Sequence, residues 1–110
     1  MERAAIARRF VETMNAFDEA SVSAMLTDDF EFTIGTHSAD RSDFLASVAS
    51  GPDADPEFRF AIERIDGADV YGRQEYYWRE TRDLATSAAR ILRLELDGSL
   101  IRRVTVDDVA

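Results

Sequence analysis

The amino-acid sequence predicts an α+β fold: a cone-shaped, strongly bent and mainly antiparallel sheet with three helices of the N-terminal half packed on its concave face. Two observations predict it. The first half of the chain combines helical apolar periodicity with one strand, and the second half alternates apolar and polar residues between turns. Because helices and strands do not alternate throughout, a parallel doubly wound sheet is disfavoured. A sheet curved around a helix leaves a conical hollow, and such hollows commonly hold ligands.

The first two helices follow from one apolar stripe and one capping residue. Residues 2–17 form the first predicted helix because apolar side chains recur at spacings of four, four and three, at Ile6, Phe10, Met14 and Phe17. Asp18 is typical of an N-cap and predicts a short second helix. Thr27-Asp28-Asp29 is expected to end that helix in a turn.

The third helix is predicted between a cap and a stop signal. Asp40 is its expected N-cap, with Asp43 in the place that Glu takes in a capping box. Gly51-Pro52 predicts the stop, with Gly51 in a left-handed conformation before the helix breaker. His37 falls in the loop that precedes this helix.

The remaining elements are strands. The first strand contains Phe30, Phe32 and Ile34, which alternate with polar residues. The later strands are connected by tight turns at Asp66-Gly67 and Asp97-Gly98 and by a looser turn over 83–87. These strands are predicted over 58–63, 70–82, 88–96 and 100–106.

Length and composition limit the possible functions. A chain of 110 residues fits a single domain over 1–110. With 22 acidic and 13 basic side chains, a net charge of -9 and scattered arginines, the protein is not expected to bind nucleic acid. The lack of Cys and Lys excludes thiolate nucleophiles, sulfur-based zinc sites and Schiff-base chemistry. A single His excludes paired-histidine metal motifs. Any activity is expected to need neither a metal nor an organic cofactor.

The sequence also shows no targeting or membrane signal. Residues 1–10 carry three arginines and no apolar stretch, unlike a signal peptide. No apolar run approaches the ~20 residues that cross a bilayer. We therefore expect a cytoplasmic protein without a membrane partner.

On several segments the chain resembles the nuclear transport factor 2-like superfamily, and within it the SnoaL-like and ketosteroid-isomerase-like branch. The resemblance spans essentially the full length. It is carried by Arg9-Phe10-Val11, Asn15-Ala16-Phe17-Asp18, Met25-Leu26-Thr27-Asp28-Asp29-Phe30 and Asp97-Gly98-Ser99-Leu100-Ile101. It implies the fold but not one function, because this fold hosts isomerases, cyclases, dehydratases, hydrolases and binding modules.

The resemblance also implies where ketosteroid-isomerase chemistry would take place. That chemistry uses a Tyr of the first helix, an Asp at the end of the first strand and an Asp of a later strand. These positions fall on Phe10, Ile34 and Leu92, which can neither donate nor carry a proton. The usual steroid-isomerase machinery is therefore expected to be absent.

The same resemblance implies which side chains face the hollow. Tyr76 and Trp78 are expected to point inward and Tyr77 outward. The expected ligand-binding set is Phe10, Met14, Phe32, Ile34, Trp78, Arg90 and Leu92. The alternative is that these side chains touch one another and fill a core.

Three residues are candidates for acid–base catalysis. His37 is the single histidine of the chain, and histidine is the side-chain type most often used as a general base. Tyr76 and Glu80 share one strand face, the face that the resemblance points toward the hollow. Each has a structural alternative: His37 as an exposed loop residue, and Glu80 in a cross-strand ion pair with Arg90. Asp28-Asp29 could form a carboxylate pair or a metal site, but turn and capping roles suit their position better.

The outer sheet face predicts a partner. Charged residues of alternating sign project there, together with one Tyr: Arg59, Glu63, Arg73, Glu75, Tyr77, Arg79, Arg93 and Glu95. The pattern is self-complementary, and members of the superfamily that the chain resembles often dimerise through this surface. The resemblance therefore implies an isologous homodimer with a polar, Arg-rich interface, whereas the alternative is a solvated face. The functional hypothesis is a pocket for a small apolar or aromatic molecule, with cofactor-independent isomerase, cyclase or dehydratase chemistry. The alternative is a non-catalytic ligand-sensing or dimerisation module.

Overall fold

Three α-helices cover one face of a six-stranded sheet in the computed structural model, which describes residues 2–109. A short 3₁₀ turn, Gly51–Asp53, follows the third helix. The helices are α1 (Arg3–Asn15), α2 (Glu19–Ser23) and α3 (Arg41–Ser50). The strands are β1 (Leu26–Ile34), β2 (His37–Asp40), β3 (Glu57–Asp66), β4 (Asp69–Tyr77), β5 (Leu84–Asp97) and β6 (Leu100–Asp108). The predicted α+β class is confirmed.

The sheet is open and mainly antiparallel. Its strand order is β2-β1-β6-β5-β4-β3, so β2 and β3 are the edges. The pair β1–β6 is parallel, with Phe32 opposite Val104, and the other pairs are antiparallel. The parallel pair joins the first strand to the last, which places β1 beside the hairpin strands.

Irregular register curves the sheet around the helices. Register shifts occur in four of the strand pairs, including one between Ile62 and Arg64 opposite β4. Such bulges bend a strand and increase its twist. Gly72 lies beside this bulge, where an added Cβ would come within 2.1 Å of the Ala61 carbonyl oxygen. A side chain at position 72 would therefore push the two strands apart.

The apolar stripe of α1 packs into the concavity. Ile6 and Phe10 are fully buried and Met14 nearly so, as the spacing predicts. Phe17, the fourth member of the stripe, lies beyond the end of α1 and has a positive φ of 54°. Its ring is therefore directed by a turn rather than by helical periodicity.

Both predicted helix caps are present. Asp18 accepts hydrogen bonds from the backbone N–H (3.1 Å) and the hydroxyl (2.6 Å) of Ser21, and these bonds lower the pKa of Asp18 below its ordinary value. The Asp40 carboxylate accepts the backbone N–H of Asp43 at 2.9 Å. Each carboxylate satisfies one of the free N–H groups of a helix start.

Several local predictions are wrong. The turn predicted at Thr27-Asp28-Asp29 is part of β1. Gly51 has a right-handed φ of -51°, so the predicted left-handed stop does not form. The residue is small for another reason: an added Cβ would lie 2.2 Å from the Phe17 ring. His37, expected in a loop, begins β2, because Gly35 (φ 58°) closes a tight turn directly after β1.

The loop between β4 and β5 comes earlier in the chain than predicted. The expected strand over 70–82 ends at Tyr77, and β5 begins at Leu84. Hydrogen bonds of 2.9 Å from Trp78 N to Asp83 O and from Arg82 N to Trp78 O close this loop, with Arg82 at φ 64°. The alternation of aromatic and charged residues continues through Trp78, but the backbone turns there. By contrast, the tight turns at Gly67 and Gly98 form as predicted, with φ of 61° and 64°.

Asn15 fastens α1 to the edge of the sheet. Its amide nitrogen donates to the Phe60 carbonyl at 2.8 Å, and its amide oxygen accepts the Phe60 N–H at 2.9 Å. Phe60 belongs to the edge strand β3, whose backbone has no neighbouring strand on this side. The side chain therefore replaces the hydrogen bonds that a neighbouring strand would make.

Within residues 2–109, no helix is long and apolar enough to span a membrane.

We expect Asn15→Ala to lower the free energy of unfolding by about 1–3 kcal/mol, because it leaves two backbone groups of a buried residue unpaired. Thr13→Ala is the matched control on α1, since the Thr13 hydroxyl bonds only to its own helix and to a Met sulfur. Urea unfolding followed by circular dichroism measures both. Equal losses in the two variants would show that the Asn15 bonds add nothing.

Candidate functional site

A partly enclosed cavity of about 330 Å³ lies between the helices and the concave face of the sheet. We call it the helix–sheet cavity. Its walls come from the end of α1, from α3 and the turn after it, and from the sheet. The lining residues are Met14, Phe17, Phe32, Ile34, Ala39, Phe44, Ser47, Val48, Ser50, Gly51, Ala54, Phe58, Phe60, Gln74, Tyr76, Leu92 and Val106.

Phe44 anchors one wall of the cavity. Its ring stacks on Phe32 at a centroid distance of 4.9 Å and meets Phe30 at 5.2 Å. Phe10 stacks behind it at 6.0 Å and is fully buried. The Asp40 cap starts α3 four residues before Phe44. The cap thereby sets where this ring meets the sheet.

A second aromatic pair forms another part of the wall. Phe58 and Tyr76 are cross-strand partners on β3 and β4, and their rings meet edge to face at 5.7 Å. Aromatic pairs favour this geometry because the positive ring edge of one faces the negative face of the other. The pair fixes the plane of the Tyr76 ring on the cavity wall.

The polar part of the cavity wall is a short chain of hydrogen bonds. Gln74 donates from Nε2 to the Tyr76 hydroxyl at 2.9 Å, and its Oε1 accepts Arg90 Nε at 3.2 Å. Arg90 forms an ion pair with Asp108 on the neighbouring strand β6. This series of hydrogen bonds thus runs from the cavity to Asp108, an exposed residue at the end of β6.

The other polar side chains of the cavity are already bonded. Ser47 donates to the Asp43 carbonyl and Ser50 to the Ser47 carbonyl, each at 3.2 Å within α3. Among the lining residues of the described chain, Tyr76 is the one with a titratable side chain. The wall is therefore apolar apart from the Gln74–Tyr76 pair and two satisfied hydroxyls.

The predicted catalytic residues do not come together. Tyr76 lines the cavity as expected. His37 is exposed on the edge strand β2, opposite Ile34, and Glu80 is exposed in the loop after β4. Neither contributes to the cavity wall.

Most of the predicted ligand-binding set lies in or directly behind the wall. Met14, Phe32, Ile34 and Leu92 line the cavity. Phe10 supports the wall through Phe44, and Arg90 does so through Gln74. The inward position predicted for Trp78 is wrong, since its side chain is 47% exposed in the β4–β5 loop. The ion pair considered between Arg90 and Glu80 does not form, because Arg90 pairs with Asp108.

Sequence reasoning missed several wall residues. Gln74 is the most informative, because it places an amide between Gly72 and Tyr76 on the inward face of β4. A polar residue at an inward position of an alternating strand is the signal that could have found it. No sequence pattern indicated that Phe17 and Gly51 line the cavity, because their contact depends on the positive φ of Phe17 and on the tertiary fold.

The outer face of the sheet carries cross-strand ion pairs. Arg93 binds Asp107 at 2.9 Å and Asp69 at 3.2 Å. Arg103 lies 3.5 Å from Glu95 and 3.8 Å from Glu31. Charges of opposite sign are therefore paired across β1, β6, β5 and β4.

The rest of this face mixes charge with flat apolar surface. Arg64 lies over the Tyr71 ring at 3.7 Å, and the partner of Tyr71 on β5 is Ile91, which is buried although it faces outward. The Glu75 carboxylate raises the pKa of the neighbouring Tyr77 phenol above its ordinary value. Arg79, expected on this face, lies instead in the β4–β5 loop, where it binds Glu57 at 3.3 Å.

Comparison with solved structures identifies the fold. A nuclear transport factor 2-like protein of unknown function from Burkholderia pseudomallei has a TM-score of 0.76 at 14% identity, covering 99% of this chain and 92% of that one. An uncharacterized cystatin-fold protein from Novosphingobium aromaticivorans has a TM-score of 0.75 at 16% identity, covering 97% and 98%. A hypothetical protein with a ketosteroid isomerase-like fold from Catenulispora acidiphila, solved with trimethylamine, has 0.73 at 8%, covering 93% and 83%.

Sequence comparisons add no assignment. No family model matches the chain, and no curated protein matches it significantly. At 8–16% identity the structural likeness establishes the fold alone. The protein therefore has the nuclear transport factor 2-like fold that the sequence resemblance implied.

Proposed function

We propose that this protein binds a small, largely apolar ring compound in the helix–sheet cavity. The observation that carries the proposal is the cavity itself, about 330 Å³ of space walled by aromatic and aliphatic side chains. This volume lies at the lower end of the ~300–1,000 Å³ of ligand pockets. A structural neighbour solved with trimethylamine supports the idea that the fold takes small molecules.

Binding is favoured over acid–base catalysis by the chemistry of the wall. A general base must lie within hydrogen-bond reach of the proton that it removes. Among the described residues, the cavity wall offers one phenol, Tyr76, and no carboxylate or imidazole. Catalytic roles for His37 and Glu80 stay predictions, and would require both side chains to move to the cavity.

The outer sheet face supports a second proposal, a homodimer formed through this surface. Its paired charges leave no large single-sign field, and Tyr71 and Ala89, which are partly exposed, give its centre a less polar strip. An isologous interface requires a patch that complements itself, and alternating arginines and carboxylates meet that requirement. The carboxylates and guanidiniums at the rim would fix the register of the two copies.

Tetralin, a bicyclic hydrocarbon, is expected to bind the wild-type protein and raise its melting temperature. At about 100 times the Kd, the gain in apparent stability is about 2.7 kcal/mol. Ala39→Trp should weaken this binding at least about tenfold, because Ala39 lines the cavity and an indole would fill it. Ser38→Trp is the matched control on the other face of β2. The proposal fails if tetralin does not bind, or if both variants bind it alike.

Acid–base activity is tested with 1-tetralone in D₂O. We expect the protein not to accelerate deuterium exchange at the carbon next to the carbonyl, measured by proton NMR. Exchange that is accelerated and then lost in His37→Ala or Glu80→Gln, with unchanged melting temperature, would establish catalysis and replace the binding proposal.

For the homodimer, light scattering at tens of micromolar protein should give twice the 12.4 kDa mass of one chain. Ala89→Arg should yield monomers, because it adds bulk and charge at the centre of the outer face. Ala5→Arg, on the exposed side of α1, should leave the dimer intact. A monomeric mass for the wild type would contradict the proposal.

A further inference from the structure

The hydrogen bonds around Gln74 can run in only one direction. Arg90 Nε lies 3.2 Å from the Gln74 amide oxygen, and a guanidinium has donors but no acceptor. The amide oxygen must therefore face Arg90, and the amide nitrogen must face the Tyr76 hydroxyl, 2.9 Å away.

The fixed amide dictates what Tyr76 offers to the cavity. The Tyr76 oxygen already accepts a proton from Gln74, so its own O–H must point elsewhere. Among residues 2–109, no side chain or backbone group accepts that proton. Tyr76 lines the cavity, and its hydroxyl is therefore a free donor at the wall.

Both ends of this chain are held in place. Arg90, whose side chain is 27% exposed, is bonded on one side to Gln74 and on the other to the 80% exposed carboxylate of Asp108. The edge-to-face contact with Phe58 fixes the Tyr76 ring. A donor with a set position discriminates ligands better than a mobile one, because less conformational freedom is lost on binding.

We propose that the helix–sheet cavity selects ring compounds that carry a neutral hydrogen-bond acceptor, such as a ketone or quinone oxygen, at the Tyr76 end. Tyr76 is the donor, and Gln74 and Arg90 are positioning residues that set its direction. This selection rests on the proposed function, since it requires that a ring compound enters the cavity. Compounds that present only a donor at that end leave the Tyr76 proton unsatisfied and bind less well.

Isothermal titration with 1-tetralone and tetralin tests the selection, because the two differ by one carbonyl. In Tyr76→Phe the affinity for 1-tetralone relative to tetralin should fall about two- to tenfold, the value of one neutral hydrogen bond. Tetralin affinity itself should not fall, because tetralin makes no hydrogen bond to Tyr76 in the wild type. An unchanged ratio with normal tetralin binding overturns the selection and leaves the proposed function standing. If the wild-type protein does not bind tetralin, both the selection and the proposed function are overturned.

Gln74→Glu tests the positioning role because it reverses the direction of the hydrogen bond between residue 74 and the Tyr76 hydroxyl. A Glu carboxylate accepts from both Arg90 and Tyr76, so the Tyr76 proton turns away from the cavity and a lone pair faces it. The 1-tetralone preference should then fall as in Tyr76→Phe, whereas indole, which presents only an N–H donor, should bind about two- to tenfold tighter than to the wild type. A merely structural role predicts equal weakening for all three ligands, which would contradict the proposal.

Discussion

The two hydrogen bonds between the Asn15 side chain and the Phe60 backbone hold the cavity together. They join the end of α1 to the free edge of β3 at 2.8 and 2.9 Å. Phe60 and the neighbouring Phe58 face the concave side, and Phe17 follows Asn15 by two residues. One amide therefore sets the distance between two walls of the cavity. An amide suits this position because it supplies a donor and an acceptor in one plane.

The cavity persists because its tight places are filled by rings and backbone that cannot collapse further. Phe17 packs directly on Gly51, where even one more carbon would clash at 2.2 Å. Gly72 brings β4 equally close to the Ala61 carbonyl. Phe32, Ile34 and Phe58 remain only partly buried, although each packs against the core. Apolar surface left facing a void gains about 25 cal/mol per Å² when it is covered, and a ligand can supply that cover.

Local patterns predicted the parts of the fold that depend on local physics. The Asp18 and Asp40 caps and the Gly67 and Gly98 turns form as expected because each involves neighbours within a few residues. The inward position predicted for Trp78 is wrong for the opposite reason. The alternation of aromatic and charged residues in β4 continues through Trp78, but hydrogen bonds between Trp78, Arg82 and Asp83 turn the backbone there. For the site, strand alternation placed the apolar residues on one face, and the family resemblance implied that this face borders the hollow. The partner of Arg90 could not be predicted, because Asp108 lies opposite it on the neighbouring strand β6, and this pairing depends on the register of β5 and β6.

The hydrogen bonds from Arg90 through Gln74 to Tyr76 place a hydrogen-bond donor at one end of an otherwise apolar cavity. Apolar walls bind by area and discriminate weakly, since a buried methylene contributes only about 0.8 kcal/mol. A buried donor discriminates more sharply, because a ligand that leaves it unpaired pays for its lost hydration. Arg90 cannot accept a hydrogen bond, so Gln74 cannot flip, and no group of residues 2–109 accepts the Tyr76 proton. A lysine in place of Arg90 would keep the charge but not the planar fork that contacts Gln74 and Asp108 together. Arg90, which does not line the cavity, therefore determines that the Tyr76 end offers a donor rather than an acceptor.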